Sequence, residues 1–440
     1  MALLIGLEQW GLVDYSSSPS ALSREEEEAL RSRLVEALRE QLPPQMFLQR
    51  TPENRRAIEA TAYRLMATIG QALPLEVEQG IIRRVVNQIF GLGVLQPYLE
   101  RDDLEEVCLN PDGKLWLSLT NTPGWVQDTS FHATPEEAIQ AARRLLELVG
   151  RTVNEMHPIE DGRIPRSEEL AGGARVNVVL PPIASGRYPT INIRFWTREL
   201  MTVRDLLNCG TLSEEMANFL EGAVRGHVNI CVSGGTKTGK TTLLNVLCSF
   251  IPREERIVTV EDTQELRLEH PNWVAMESRP PNIEGQGEVS MGDLVRNALR
   301  QAPTWLIPGE IRDGEAAYQA LRALSTGHYG MTTVHSESAY DTWRMIVNLA
   351  QGAGYYAGNK EAAKERFAVA IRMVVHLAIL PGTTRRVITR ICEVEPYLRR
   401  GNVSLRDLYA YDPEKDTWKA VASPLYIGFP AWMMAPGGEE

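Results

Sequence analysis

The feature that most restricts this chain is the run GGTKTGKT from Gly234 to Thr241, set between an apolar stretch, Val228 to Val232, and a helical one. Its spacing is G-x-x-x-x-G-K-[ST], the pattern of a phosphate-binding loop that joins a strand to a helix. Glycines let such a backbone curl, so that successive N–H groups of Gly234, Gly235, Thr236, Lys237, Thr238 and Gly239 point at phosphate oxygens. The following helix turns its positive N-terminal end toward the same anion. Lys240 is expected to neutralise β- and γ-phosphate charge of ATP, and Thr241 to give a hydroxyl to the accompanying Mg2+ ion, with Thr242 beside it as a further nucleotide-binding residue. Lys237 stands where small residues are usual; it either adds a phosphate contact or points to solvent, and solvent is the expectation. A chance glycine-rich turn would not explain the strand and helix on either side.

A phosphate loop does not name an activity, so its partners have to be found in the right places. Three more apolar runs supply them: IVTVED leads into Glu261 and Asp262, WLIPGE into Glu310, and MTTVH into His335. Each polar group arrives at the C-terminal end of a strand, where open α/β sheets bind ligands. Four strand ends are thus predicted to meet at one crevice. Glu310 is the candidate base that orients and deprotonates the attacking water. Glu261 and Asp262 can hold magnesium and share that role; the alternative is an N-cap and a solvated turn. In STGHYGMTTVH, His328 is expected to close the turn or bind nucleotide, and His335 to contact the γ-phosphate. The other histidines are read as structural.

A chain of 440 residues is expected to form two or three units. Ser23 and Glu26 make a capping box ahead of Leu30, Leu34 and Leu38, and helical patterns continue to about Phe90, so residues 1–95 read as a helical region. Residues 96–200 read as an α+β domain: EEVCLN and KLWLSL form a hairpin about Pro111-Asp112-Gly113, a helix starts at Pro135, and ARVNVVL and TINIRFW are strands. Residues 201–440 alternate strand and helix, the pattern of an α/β domain with a mainly parallel sheet. Composition narrows the function: a net charge of −11 argues against extended nucleic-acid binding. Five scattered cysteines without a CxxC pair suggest reduced, cytosolic thiols. The opening MALLIGLEQWGLVDY lacks a basic leader, and no stretch approaches the roughly 18 apolar residues of a membrane span, so any membrane association is expected to be peripheral.

The combination is more specific than its parts. GGTKTGKTTLLN resembles the Walker A box of type II and type IV secretion ATPases, IVTVEDTQEL their Asp box, WLIPGEIRDGEA their Walker B segment and TGHYGMTTVH their His box. ESRPPNIEGQGEVSMGDLVRNALRQAP, DGRIP, ARVNVVLPPIASG and INIRFW are similar to the CpaF/TadA-type pilus-assembly ATPases of that superfamily. The resemblance implies a RecA-like motor domain preceded by an α+β (PAS-like) domain, with ATP between them. It implies a homohexamer at the inner face of the cytoplasmic membrane, driving pilus assembly or secretion through an inner-membrane platform protein. It also implies that Arg163, Arg175 and Arg194, and more weakly Arg279, approach nucleotide phosphates, Arg194 as a catalytic residue; surface salt bridging is the alternative. Two residues depart from the family pattern: Lys237, and Pro308 inside the Walker B strand, where it removes one ladder bond. The rival reading is a nucleic-acid translocase or a DNA-transfer motor.

Overall fold

The computed structural model describes residues 23–48, 51–69, 73–120, 122, 124–164, 173–196, 200–281 and 286–427; the apolar opening at residues 1–15 lies outside them. The chain forms two compact units, divided between Arg198 and Glu199.

The first unit begins where Ser23 and Glu26 cap each other's backbone and start helix α1 (Arg24–Gln41). Helices α2 (Pro44–Leu48), α3 (Pro52–Ile69) and α4 (Leu75–Phe90) follow, and Leu34, Leu38, Ile58, Ile81 and Val85 are fully buried among them. Each such side chain contributes about 1.5–3 kcal/mol. After the short α5 (Gln96–Leu99) comes an antiparallel sheet of β1 (Leu104–Leu109), β2 (Leu115–Leu119), β3 (Trp125–Asp128), β4 (Ile159–Ile164), β5 (Ala174–Val179) and β6 (Thr190–Phe195), in the order β3-β2-β1-β6-β5-β4. Helix α6 (Pro135–Glu147), started by a second capping box of Thr134 and Glu137, buries Ala138, Ala141 and Leu145 with Val107, Val176 and Ile193 of the sheet. The helical region and the sheet do not form separate units. Arg31 of α1 pairs with Glu137 of α6 at 2.6 Å, and Arg144 of α6 donates to the Gln88 carbonyl at the end of α4.

The second unit opens with α7 (Val203–Asn208) and α8 (Glu214–Arg225) and then alternates: β7 (Ile230–Gly234), α9 (Lys240–Cys248), β8 (Ile257–Glu261), β9 (Trp273–Glu277), α10 (Met291–Ala298), β10 (Trp305–Pro308), α11 (Gly314–Leu324), β11 (Tyr329–His335), α12 (Thr342–Gly352), α13 (Lys360–Ala370) and β12 (Met373–Ile379). Three strands without intervening helices finish it: β13 (Arg386–Arg399), β14 (Asn402–Asp412) and β15 (Thr417–Ala420). Across the sheet the order is β15-β14-β13-β12-β7-β11-β10-β8-β9. From β12 to β9 neighbours run parallel, and β13 to β15 extend the sheet antiparallel. Strand alternation sends Ile230 and Val232 into one core with Leu220 of α8 and Leu244 of α9, and Cys231 into another with Leu321, Ile346 and Phe367 of α11, α12 and α13. Burial on both faces explains why these strands read as continuous apolar runs.

Pro308 ends β10. The ladder to β11 pairs Trp305 with Tyr329 and Leu306 with Gly330, then skips to the amide of Thr333 on the Gly309 carbonyl, so the missing N–H leaves a gap of the expected kind. At the other side of the sheet Glu393 of β13, fully buried, accepts N–H bonds from Leu425 (3.0 Å), Tyr426 (2.5 Å) and Ile427 (2.8 Å). Arg406 of β14 pairs with the same carboxylate at 2.9 Å.

Candidate nucleotide site

Parallel pairing brings the C-terminal ends of β7, β11, β10 and β8 to one edge of the sheet, in that order. Gly234 stands opposite His335 and Pro308 opposite Val260, so the phosphate loop, His335, Glu310 and the Glu261–Asp262 pair form a row three strand spacings wide, about 14 Å.

The loop itself is shaped by close backbone approach. A Cβ on Gly234 would come within 2.4 Å of the Leu377 carbonyl oxygen, which demands glycine there. Gly239, at φ 90°, caps α9, and Lys237, at φ 61°, occupies the left-handed region that side chains disfavour. Thr238 is buried and donates its hydroxyl to the Gly235 carbonyl at 2.9 Å. Gly235 and Thr236 are exposed, while Thr241 and Thr242 are half-buried in the first turn of α9. Lys237 is half-buried rather than fully solvated.

Lys240 is buried and donates Nζ to the carbonyls of Gly234 (3.2 Å) and Gly235 (2.8 Å), and lies 3.3 Å from Nδ1 of His335. An ammonium can only donate, so Nδ1 accepts and the ring proton belongs on Nε2. Nε2 lies 3.0 Å from Oε1 of Glu310, whose Oε2 accepts from Arg312 Nη2 at 2.5 Å. The turn carrying Glu310 is pinned on both sides: the amide and hydroxyl of Thr333 donate to the Gly309 carbonyl, and the Ile311 amide to the Thr333 carbonyl. A relay of polar groups in contact thus runs from the loop lysine through His335 to Glu310, its last step a close approach that is not aligned as a hydrogen bond.

Glu261 departs from its expected direct role. It is 4% exposed, and its Oε1 accepts the amides of Glu265 and Leu266, each at 3.0 Å, which is the capping alternative. Its Cγ lies 2.7 Å from where a Cβ on Gly309 would be, so it braces the Glu310 turn from below. Asp262 stands beyond it, accepting from the Ser278 hydroxyl at 3.3 Å. Desolvation by its neighbours pushes the Asp262 carboxyl up, against the Ser278 hydrogen bond and the Arg312 charge.

Of two further expected nucleotide contacts, one lies at the opposite edge of this sheet and the other at the outer end of the same edge. His328 precedes β11 whereas His335 ends it, so the strand separates them by about 20 Å and His328 belongs to the opposite edge. A polar residue at a strand's start cannot join a site built from strand C-termini. Arg279 follows β9 at the sheet margin, where its Nε donates to the Gly287 carbonyl at 2.8 Å and its backbone bridges to Val289, closing a loop. Arg163, Arg175 and Arg194 belong to the first unit. There they form a register row: Arg163 pairs with Arg175, Arg175 with Arg194, and Arg194 with Glu106, all on the face opposite α6. Arg163 lies over the Trp196 ring at 5.3 Å, and Arg194 Nε is 3.6 Å from Glu106 Oε1.

Arg312 and Arg386 were not anticipated. Arg312 sits two positions after Glu310 and could have been read from that spacing. Arg386 donates Nε to the Lys237 carbonyl at 2.9 Å across a separation of 149 residues, for which the sequence has no local signal. Of the remaining histidines, His227 contacts Glu255, His270 the Pro252 carbonyl and His376 the Thr389 hydroxyl, in keeping with structural roles. All five cysteines are unbridged. Among the described residues no cluster of three His, Cys, Asp or Glu side chains could hold a metal, and no helix is long and apolar enough to cross a membrane.

A glycine-rich loop between strand and helix, with a buried lysine and carboxylates at neighbouring strand ends of a mostly parallel sheet, defines the class of P-loop nucleotide-binding α/β proteins. Comparison narrows it: residues 126–384 match the family described as type II/IV secretion system protein, and the chain belongs to that family. It is 38% identical over 272 residues to an uncharacterized protein of Methanocaldococcus jannaschii, with 59% of this chain and 36% of that one aligned, so it spans about a third of that relative's length. It is 34% identical over 272 residues to type IV secretion system protein PtlH of Bordetella pertussis, covering 57% of this chain and 78% of PtlH. The solved structure of the pilus retraction motor PilT with bound ADP superposes with a TM-score of 0.51 at 21% identity, over 70% of this chain and 84% of PilT, a likeness of fold.

Proposed function

We propose that this chain is an ATP-hydrolysing motor of the CpaF/TadA type, working as a homohexamer on an inner-membrane platform protein to drive pilus assembly or secretion. The observation that carries the reading is the relay joining Lys240, His335 and Glu310 at one sheet edge. ATP draws Lys240 from the Gly234 and Gly235 carbonyls to its β- and γ-phosphates. His335 loses that donor and turns toward the γ-phosphate, and Glu310, still oriented by Arg312, accepts a proton from the attacking water. Glu261 positions the turn. Thr241 and Asp262, with Glu261 behind them, present hydroxyl and carboxylate oxygens, a donor set suited to magnesium, which when bound would neutralise phosphate charge.

The first unit, which we take as the family's PAS-like domain with its helical leader, contributes the arginine row. Forked guanidinium groups of Arg163, Arg175 and Arg194 suit the spread charge of nucleotide phosphates in the assembled ring. In this reading the protein works in the cytoplasm, peripheral at the inner membrane face. ATPase assays test the reading: turnover should require magnesium and rise several-fold with the cytoplasmic fragment of the cognate platform protein, and much less with single-stranded DNA. Strong stimulation by DNA alone would instead favour the translocase.

A further inference from the structure

We infer that Arg386 is a positioning residue of the phosphate loop, holding the Lys237 peptide in the conformation that receives phosphate and tying nucleotide affinity to the antiparallel strands. The inference rests on the nucleotide reading of the site. β12 lies beside β7 with Leu377 opposite Gly234, so the hairpin leaving β12 rises directly against the loop. Arg386, the first residue of β13, stands opposite Ile379 at the mouth of that hairpin. From there its Nε donates to the Lys237 carbonyl at 2.9 Å, and its Cδ lies 3.3 Å from the position of a Cβ on Gly239. The stem thus covers the glycine while the head grips the peptide two residues earlier.

What is gripped is the costly part of the loop. For a residue other than glycine the left-handed region is disfavoured by the clash of Cβ with the backbone, and Lys237 occupies it at φ 61°. If that peptide relaxed, the Thr238 and Gly239 amides that follow would turn away from a bound phosphate. The clamp also has a fixed mount. Strand alternation points Arg385 the other way, where Nε and Nη2 reach the Gly210 carbonyl at 3.2 and 3.1 Å and Nη1 both oxygens of Asp416 at 2.7 Å. Adjacent arginines therefore anchor the hairpin to the end of α7 and the β14–β15 turn on one side, and the phosphate loop to the hairpin on the other.

A double-mutant cycle on the full chain tests this, reading the dissociation constant of a fluorescent ATP analogue with magnesium. Arg386→Ala should weaken binding about tenfold, with kcat at saturating ATP changed less than about twofold. On a Lys237→Gly background, where the left-handed conformation costs nothing, the same change should weaken binding less than about threefold. Equal losses on both backgrounds would mean that Arg386 touches nucleotide directly and would overturn the inference, as would no loss at all. Arg386→Met keeps an apolar stem over Gly239 and removes the guanidinium head, so it repeats the test on both backgrounds if the alanine variant misfolds. Amide hydrogen exchange over residues 234–242 of the nucleotide-free protein should quicken in either variant; unchanged exchange would also overturn it. Failure of the unmodified chain to bind ATP would sink the site reading together with this inference, whereas normal binding untouched by Arg386→Ala would sink this inference alone.

Discussion

At the loop edge of the second unit charged groups meet complementary ones: Lys240 has two carbonyls and a ring nitrogen, and Glu310 a histidine and a guanidinium. On the open face of the first unit, by contrast, Arg163, Arg175 and Arg194 stand in one register row that ends at Glu106. Like charges directly opposite one another destabilise a sheet by a few tenths of a kcal/mol up to about 1 kcal/mol per pair. The edge is therefore assembled before any ligand arrives, and its residues should govern chemistry with little effect on folding. Arg163 already lies over the Trp196 ring and Arg194 near Glu106, so the like-charge cost falls chiefly on Arg175, where stability should trade against activity.

Changes at the edge should be the largest. Lys240→Ala should lower ATP affinity by about 100-fold or more while moving the nucleotide-free unfolding midpoint little, measured by ligand titration and thermal melting. Glu310→Gln should retain binding and slow turnover by about 100-fold or more, since it removes a proton acceptor and keeps the shape. Near-normal hydrolysis by that variant would dissolve the edge half of the comparison. In the row, Arg194→Ala should slow turnover about tenfold, and Arg175→Gln should stabilise the nucleotide-free protein by about 0.5 kcal/mol in urea unfolding. A destabilised Arg175→Gln protein would show that the row is compensated without an anion.

The smallest effect concerns His376, buried on β12. Burial first, then the charges of Arg390 and Lys240, push its ring below the ordinary value, against the pull of the nearby Ser336 and Glu337 backbone carbonyls, which favour the protonated ring. The unfolded chain takes a proton near pH 6.5 while the folded one resists it, so this contribution is complete above about pH 6.5 and is lost as pH falls toward the folded value. His376→Gln should flatten the pH dependence of the urea midpoint between pH 7 and pH 5, and an unaltered slope would remove His376 from the edge's electrostatics.

The sequence made the edge legible because its motifs are local: each chemical residue follows the apolar run that becomes its strand. Strand direction was the missing information for His328, which shares a motif with His335 yet starts the strand that His335 ends. β4 was not anticipated because Ile159-Glu160-Asp161-Gly162-Arg163-Ile164 has no alternation and a central glycine, although it carries the first arginine of the row. That the three arginines align is a fact of register, which no single segment states. The joining of helical leader and sheet was equally hidden, since it rests on contacts such as Arg31 to Glu137 across 106 residues.

The Glu393 clasp has a practical bearing on how the protein can be handled. Its carboxylate takes three consecutive amides from residues 425–427, and Ile427 enters the core behind α8 and α9. A gene trimmed to stop before Leu425 would leave that buried carboxylate with Arg406 alone, and incomplete compensation of a buried ion costs several kcal/mol. A fluorophore or affinity handle attached after Ile427 would leave all three bonds in place, which makes that point the better site for following the protein by spectroscopy.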